Sequence, residues 1–356
     1  MGVRMTTPVT ILTGFLGCGK TTLINRILQE SVDERVAVIE NEYGEVGVDA
    51  EFLSRTGNET IIQLENGCLC CTVRGDLAQA LYNLVQQADA NNLLFDRVLI
   101  ETTGLADPGP ILQTFLAETA IEQTFHLDGI VTVVDAENAL IQRDRIEFRT
   151  QIGYADRIVV SKEDRVNNEQ LSKVNELVAK LNPRAPLSYC DLHTVTMPTL
   201  FEHLFHIRGF AIDYIPPEEV ARAQEESCGH DHDHEHGDCG SSEHAHGEAS
   251  HTDDVVSCVF TSDIPIDLSR LNIVLDGLIG RYGEALWRCK GVINSRGHRS
   301  RLVLQGVQGL IQIGGGVMWR PYEPRRSVLV FIGQNLDADL ITEALKACEE
   351  GAVAAR

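Results

Sequence analysis

Residues 14–21 read GFLGCGKT and match the phosphate-loop pattern G-x-x-x-x-G-K-[ST] in full. An apolar run precedes the loop and an amphipathic stretch follows it, so backbone N–H groups and a helix N-terminus would converge on phosphate oxygens. Lys20 would neutralise the β- and γ-phosphates and Thr21 would bind Mg²⁺, which makes both candidate catalytic groups. A ligand-free glycine-rich turn is the alternative. The nucleotide-binding candidates in this segment are Gly14, Gly17, Cys18, Gly19, Lys20, Thr21 and Thr22.

Two further polar segments follow apolar runs and suit nucleotide chemistry. Glu101 ends the run Val98–Ile100, where a Walker B acid would approach the metal-bound water, so it is the third candidate catalytic group. Lys162 and Asp164 follow the run Ile158–Val160 in the sequence SKED. One carboxylate can accept both hydrogen bonds from guanine N1–H and N2–H₂, and adenine lacks this donor pair. Asp164 therefore predicts selection of GTP over ATP, with an exposed polar loop as the alternative.

Three cysteines, Cys68, Cys70 and Cys71, fall within four residues. Thiolates favour zinc, copper(I) and iron–sulfur chemistry, and a closed zinc site would need a fourth ligand from elsewhere. The polar segment 40–45 is the nearest source, because it follows a predicted strand at the edge where α/β sheets build their sites. Two alternatives stay open, namely thiols that fill core space and a redox switch. The isolated cysteines are interpreted as ordinary small residues: Cys18, Cys190, Cys258, Cys289 and Cys348.

A second metal-binding candidate is the histidine-rich tract, residues 228–251, which holds seven of the twelve histidines. Imidazoles alternate with carboxylates there at His230, His232, His234 and His236. Neutral imidazole binds zinc, nickel, cobalt and copper, so the tract would offer several weak, overlapping sites. A solvated acidic spacer is the alternative. Because no apolar periodicity survives in this region, we expect a mobile linker over residues 214–254.

The overall composition limits the function classes. The chain has 356 residues, a formal net charge of -22 and 43% hydrophobic residues. This charge repels nucleic acid and anionic membranes, so neither is expected as a partner. No apolar run approaches the ~20 residues of a membrane span, and no basic segment followed by an apolar one indicates secretion. We therefore expect a cytoplasmic protein, in which clustered thiols indicate metal or redox chemistry rather than disulfides.

The elements that would position these residues alternate in type along the first part of the chain. Five short apolar runs between Val9 and Val160 predict strands buried on both faces, and the stretches between them predict helices. The prediction is a doubly wound, mostly parallel α/β P-loop domain over residues 1–213. After the linker, strand-like and helical stretches resume over residues 255–356 and predict a smaller α+β domain.

The order of these motifs resembles that of the CobW-type metallochaperone GTPases, and within them the YjiA-like branch. The matching segments are GFLGCGKT (14–21), ENEYGEVGVD (40–49), NGCLCCTVRGDL (66–77), ETTGLADPGP (101–110) and SKED (161–164), in which Ser161 replaces the usual Asn. The resemblance implies a GTPase that binds zinc, or a divalent metal such as cobalt or nickel, through the C-x-C-C motif and delivers it to a client. It makes Cys68, Cys70 and Cys71 metal-ligand candidates, with Glu40 and Glu45 as acidic partners.

These features lead to the hypothesis of a nucleotide-controlled metal site. GTP and Mg²⁺ would order segments 40–49 and 68–75, hydrolysis would relax them, and metal affinity would follow the nucleotide state. A client metalloprotein would dock mainly on the C-terminal domain, and a homo-oligomer is left open. Three alternatives are an ATP-dependent small-molecule kinase, a metal-buffering or storage protein regulated by nucleotide, and a GTPase that assists cobalt, nickel or iron cofactor insertion.

Overall fold

The structure of the protein, a computed structural model, contains two β-sheets with helices packed around them. It describes residues 6–30, 35–40, 60–63, 73–91, 95–118, 121, 123–183, 185–207, 209 and 255–351. No helix within these ranges is long and apolar enough to cross a membrane. The predicted linker, residues 214–254, lies outside the described residues, so its boundaries stay a prediction.

The first sheet has seven strands, and every described pairing between them is parallel. The strands are β1 (Thr7–Thr13), β2 (Val36–Glu40), β3 (Thr60–Gln63), β4 (Arg97–Glu101), β5 (Phe125–Asp135), β6 (Arg157–Ser161) and β7 (Leu187–Cys190). The helices are α1 (Lys20–Glu30), α2 (Val73–Asn91), α3 (Gly109–Ala117), α4 (Ala139–Gln142), α5 (Ile146–Tyr154), α6 (Asn168–Leu181) and α7 (Met197–Leu204). The spatial order is β3-β2-β4-β1-β5-β6-β7, with β1 in the centre.

Helices cover both faces of this sheet, as the apolar runs predict. Neighbouring residues of β1 point to opposite faces: Ile11 packs in the cluster that includes residues of α2, α3, α5 and α6, and Leu12 in the cluster that includes residues of α1 and α7. Both side chains are fully buried. A strand buried on both faces favours β-branched residues without polar alternation. The doubly wound parallel α/β fold is thereby confirmed.

The second sheet is antiparallel and forms the core of the C-terminal α+β region. Its strands are β8 (Val255–Ser262), β9 (Leu286–Ile293), β10 (Ser300–Val307), β11 (Leu310–Met318) and β12 (Ser327–Gln334), and its helices are α8 (Leu268–Tyr282) and α9 (Ala338–Lys346). The order β11-β10-β9-β12-β8 leaves β11 and β8 at the edges.

The second sheet buries both of its faces, one of them against the first sheet's helices. Leu329 and Phe331 of β12 pack in the cluster that contains residues of α8 and α9. Their neighbours Val330 and Ile332 join Trp287 in the cluster that also contains residues of α3 and α5. Trp287 stacks on Tyr154 with 6.3 Å between the ring centroids. The alternation along β12 therefore links the two sheets through one continuous apolar core.

The structure adds strands that the sequence patterns did not predict, chiefly β3, β7, β9 and β11. β3 and β7 have four residues each and lie at the two edges of the first sheet. β9 carries Arg288 and Lys290 within its apolar pattern, and Arg288 is buried in an ion pair. β11 contains three consecutive glycines and is exposed along much of its length. Charge, glycine and short length each weaken the signal from hydrophobic periodicity.

A buried ion pair between Arg288 and Asp156 joins the two sheets. Arg288 also donates from Nη1 to Tyr154 O at 2.6 Å. We expect Arg288→Met to lower the free energy of unfolding by ~3 kcal/mol, because it leaves the buried Asp156 carboxylate without its main partner. Urea unfolding followed by far-UV circular dichroism measures this loss. The control is Arg326→Met, which breaks a more exposed pair with Asp263; equal losses in the two variants would contradict the interpretation.

Candidate nucleotide and metal site

The phosphate loop connects β1 to α1 and packs tightly against neighbouring elements. Gly14 has a φ of 144°, and a Cβ at this position would lie 2.4 Å from Val133 O of β5. Gly19 has a φ of 106°, and its Cβ would lie 2.4 Å from Leu192 Cδ1, in the turn after β7. Both the backbone conformation and the close approach therefore require glycine at these two positions.

Lys20 is the first residue of α1, and its ammonium group is buried beside the loop. The side chain donates to Gly14 O at 2.7 Å and lies 3.9 Å from Cys18 Sγ, while Lys20 as a whole is only 7% exposed. Among the residues that the structure describes, no carboxylate pairs with it. A buried cation without a counterion costs several kcal/mol, so the cradle fits an anion such as a phosphate chain at the helix N-terminus. Thr21 follows with an exposed side chain.

The end of β4 places the predicted acid beside this loop. Glu101 is the last residue of β4, which pairs directly with β1. Thr102 Oγ1 donates to Thr13 Oγ1 at 2.8 Å and ties the two strand ends together. Gly104 then lies against the loop, since a Cβ there would be 2.7 Å from Leu16 N. The segment that follows Glu101 is therefore in contact with the phosphate loop.

The predicted base-selecting segment is fastened to the same loop. Ser161 Oγ donates to Cys18 O at 2.8 Å, and Lys162 Nζ donates to Gly17 O at 2.8 Å. Asp164 lies in the short 3₁₀ turn Glu163–Arg165 with its side chain exposed. Although Ser161 departs from the usual Asn, its hydroxyl supplies a direct hydrogen bond to the phosphate loop. The structure thus brings Lys20, Glu101 and the 161–164 segment together at the carboxyl ends of the parallel strands.

Two residues of this site were missed by the sequence analysis. Asp135, at the end of β5, is buried and forms an ion pair with Lys162 at 2.5 Å. Its carboxylate also accepts hydrogen bonds from Glu137 N and Asn138 Nδ2, both at 2.9 Å. The second residue is Leu192, which packs on Gly19. The sequence did contain a signal for Asp135, which directly follows the apolar run Ile130–Val134. Glu101 occupies the equivalent position on β4.

Most of the predicted metal ligands lie outside the described residues. Glu40 is an exception, because its backbone is described. It ends β2 and pairs in register with Glu101 of β4 and with Gln63 of β3. In the described part of the chain no group of three His, Cys, Asp or Glu side chains is arranged to hold a metal ion. The predicted ligands outside it are Glu45, Cys68, Cys70, Cys71, His230, His232, His234 and His236.

The five cysteines within the described residues are all buried, and none of them forms a disulfide: Cys18, Cys190, Cys258, Cys289 and Cys348. Burial raises the pKa of the Cys18 thiol, although the nearby Lys20 opposes this effect. It raises the pKa of Cys190 to about 11 and that of Cys289 to about 12. These groups therefore stay protonated at neutral pH, which agrees with their interpretation as ordinary small residues.

Iodoacetamide labelling should distinguish the buried cysteines from ordinary exposed thiols. At pH 7.5 we expect Cys190 and Cys289 to react at least about a hundredfold more slowly than an ordinary exposed thiol, since raised pKa values leave almost no thiolate. Their reactivity should rise only as pH approaches those pKa values or as the protein unfolds. Mass spectrometry of peptides after timed alkylation, with and without zinc, makes the measurement. Rapid labelling of Cys190 or Cys289 in native protein would contradict this prediction.

The buried lysine of the phosphate loop, the acid at the end of β4 and the 161–164 segment define a P-loop GTPase. The CobW/HypB/UreG nucleotide-binding domain matches residues 8–188, and the cobalamin synthesis protein CobW C-terminal domain matches residues 255–349. The chain therefore belongs to the CobW family of P-loop GTPases, as the order of its motifs indicated.

Relatives and solved structures agree with this assignment over nearly the whole chain. The chain is 36% identical to the zinc chaperone YjiA of Escherichia coli over 94% of this chain and 96% of that protein. It is 30% identical to the zinc chaperone CobW of Pseudomonas aeruginosa over 95% of this chain and 90% of that one. The crystal structure of Zn(II)-bound YjiA GTPase from E. coli superposes with a TM-score of 0.72 at 32% identity, covering 98% of this chain and 100% of that chain.

Proposed function

We propose that this GTPase is a metallochaperone that binds zinc at Cys68, Cys70 and Cys71 and delivers it to a client protein. Glu40 and Glu45 would complete the metal site, and Thr21 would hold Mg²⁺ beside the nucleotide. The names of two relatives as zinc chaperones support zinc as the cargo. A thiolate-rich ligand set also favours zinc over harder divalent ions.

The observation that carries the proposal is the register between β2 and β4. Glu40, a predicted metal ligand, and Glu101, the predicted acid of the nucleotide site, are direct partners on adjacent parallel strands. Neighbouring strands lie about 4.8 Å apart, so the two backbones leave the sheet side by side. A rearrangement after Glu101 on GTP hydrolysis would therefore act directly on the segment that begins at Glu40. This supports coupling between nucleotide state and metal affinity.

The position of the cysteine motif in the chain order supports the same coupling. Residues 68–71 fall in the connection between β3 and α2, and β3 pairs in parallel with β2. Such a connection starts from the carboxyl edge of the sheet, where the phosphate loop also begins. α2 in turn packs against α3, which follows the Glu101 segment. The histidine-rich tract would add weak capture sites that supply this tighter one.

Zinc affinity measured in three nucleotide states tests the proposal. We expect affinity to differ at least about fivefold between a non-hydrolysable GTP analogue and GDP, as ordinary coupling energies allow. Replacing Cys68, Cys70 and Cys71 with Ser should abolish tight binding, whereas deleting residues 228–251 should remove only weak sites. Cys258→Ser is the matched thiol control, because its partners Ala338 O and Thr342 Oγ1 can also bond a hydroxyl. Equal zinc affinity in all nucleotide states would refute coupling.

The C-terminal sheet offers a surface for the proposed client. Residues 294–326 contain six arginines and one acid, Glu323, in a chain of net charge -22. The loops before β10 and after β11 meet there, with Trp319 N donating to Arg299 O at 3.3 Å. Tyr322 is fully exposed between Arg320 and Arg325, which are exposed too. Arginine and tyrosine are enriched among the hot-spot residues of protein interfaces, and the charge would select an acidic partner surface.

Photocross-linking in cells tests this docking surface. With p-benzoylphenylalanine at position 322, we expect a discrete adduct that disappears when Arg320 and Arg325 are both changed to Glu, because the partner surface is acidic. The same probe at Ile141 of α4 is the matched control, since that residue is 80% exposed on the GTPase domain. Adducts that form equally at both positions, or that survive the charge reversal, would contradict docking at this surface.

A further inference from the structure

The two-residue turn between β10 and β11 is unusual in its sequence and in what it touches. Gln308 and Gly309 form it with φ values of 44° and 81°. Hairpin turns with two positive φ values favour Asn or Gly, and a glutamine in this conformation is strained. Strain of this kind persists where surrounding contacts impose it, often at functional sites. The contacts of the Gln308 side chain therefore indicate what the turn does.

Gln308 reaches out of the C-terminal domain to the segment that follows Glu101. Its Nε2 donates to Asp107 Oδ2 at 2.9 Å, and its Oε1 accepts from Gln113 Nε2 at 3.3 Å. The other oxygen of Asp107 accepts from Gly109 N at 2.8 Å, at the start of α3. One carboxylate thus joins the end of the Glu101 segment, the first turn of α3 and the hairpin turn.

Gly109 allows this close contact between the domains. A Cβ at position 109 would lie 2.7 Å from both Cδ and Nε2 of Gln308 and 2.7 Å from the hydroxyl oxygen of Tyr154. Tyr154 is fully buried, so it has little freedom to move away. The Gln308 side chain therefore occupies a fitted position on the start of α3 rather than a chance surface contact.

The other end of the same segment touches the nucleotide site. Gly104 lies against the backbone of Leu16 in the phosphate loop. Buried Gln151 donates from Nε2 to Gly104 O at 3.2 Å and to Ala106 O at 3.1 Å, which fixes the segment from the side of α5. Residues 101–107 therefore form a short bridge, held at one end by the phosphate loop and at the other by Gln308.

We propose that Gln308 is a positioning residue for GTP hydrolysis, which it affects through Asp107. By fixing Asp107 it holds residues 101–107 against the phosphate loop, where Glu101 must be in place for phosphoryl transfer. The second sheet fixes the position of Gln308. That sheet is in turn held against the first one by Arg288, Trp287 and the shared apolar core. Any partner that shifts the β10–β11 hairpin would therefore change the rate of GTP turnover. This proposal depends on the GTPase activity and not on zinc delivery.

A charge-swap series on the full-length protein tests the proposal. Gln308→Glu places a second carboxylate beside Asp107, so we expect kcat for GTP to fall about tenfold while GDP affinity changes less than twofold. Adding Asp107→Asn restores the hydrogen bond with donor and acceptor exchanged, and kcat should recover to within about threefold of the parent. Gln312→Ala is the matched control, because Gln312 reaches Leu116 O on α3 from the same hairpin but does not touch the bridge.

Each outcome of this series decides the question. A fall in kcat that the double variant reverses, with Gln312→Ala unchanged, would support positioning through Asp107. An unchanged kcat in Gln308→Glu would overturn the proposal. So would a loss of kcat that Asp107→Asn does not reverse, or one matched by Gln312→Ala, since either would indicate general damage to the domain interface. Thermal unfolding of each variant confirms that the compared proteins are folded.

Discussion

Lys20→Ala is expected to reduce GTP turnover by at least about a hundredfold, because charge-assisted contacts to the transferred phosphate contribute several kcal/mol in the transition state. The structure gives a specific reason for this effect. The Lys20 ammonium is buried beside Gly14 O and Cys18 Sγ and has no carboxylate partner among the described residues. Its charge can therefore act on a phosphate chain bound at this loop. Phosphate release measured at saturating GTP gives kcat, and a fluorescent GDP analogue gives affinity.

The matched control for this prediction is Lys173→Ala. Lys173 lies on α6, where it forms an exposed ion pair with Glu169. It is far in sequence from every residue of the phosphate loop, and its loss should leave turnover within about twofold of the parent. Persistent turnover in Lys20→Ala, at more than a tenth of the parent rate, would mean that the phosphate loop is not the catalytic centre. It would then favour the metal-buffering alternative, in which nucleotide serves only as a regulator.

Asp164→Asn should change which nucleotide the protein binds. A carboxylate accepts two hydrogen bonds from guanine, whereas an amide accepts one and donates one, a pattern that suits xanthine. The variant loses one charge-assisted hydrogen bond, and its amide N–H faces an N–H donor of guanine. We therefore expect GTP binding to weaken by about a hundredfold and the affinity for XTP to exceed that for GTP. Competition among GTP, XTP and ATP against a labelled nucleotide measures the change.

Glu163→Gln is the matched control, since Glu163 occupies the same 3₁₀ turn as Asp164 and carries the same charge. It should leave the preference for GTP intact. If Asp164→Asn kept the parent's preference for GTP over XTP, guanine selection would have to come from elsewhere. Tight ATP binding by the parent protein would instead favour the small-molecule kinase alternative.

The parallel sheet and the nucleotide site were largely predictable from the sequence. The runs at β1, β4, β5 and β6 are buried on both faces, which gives them a strong apolar signal, and the phosphate-loop glycines have a fixed spacing. The short strand β3 and the glycine-containing strand β11 carry no such signal. Their formation depends on pairing with strands already in place, and this information is not local.

The ties between distant segments could not be predicted. The Lys162–Asp135 ion pair, the hydrogen bond from Ser161 to Cys18 O and the contact between Gln308 and Asp107 join residues that are far apart in sequence. Each involves a polar residue that a single sequence also explains as part of an exposed loop. Only the folded topology shows that these residues meet.

The apolar core that runs between the two sheets has a consequence for synthesis on the ribosome. Tyr154 is made about 130 residues before its stacking partner Trp287. At ordinary translation rates, the α5 surface waits roughly ten seconds for the strands that cover it. During that interval the nascent chain presents an uncovered apolar patch to the solvent or to a folding helper. Yield should therefore depend on translation speed through the region between α5 and β9, even for codon changes that leave the protein unaltered.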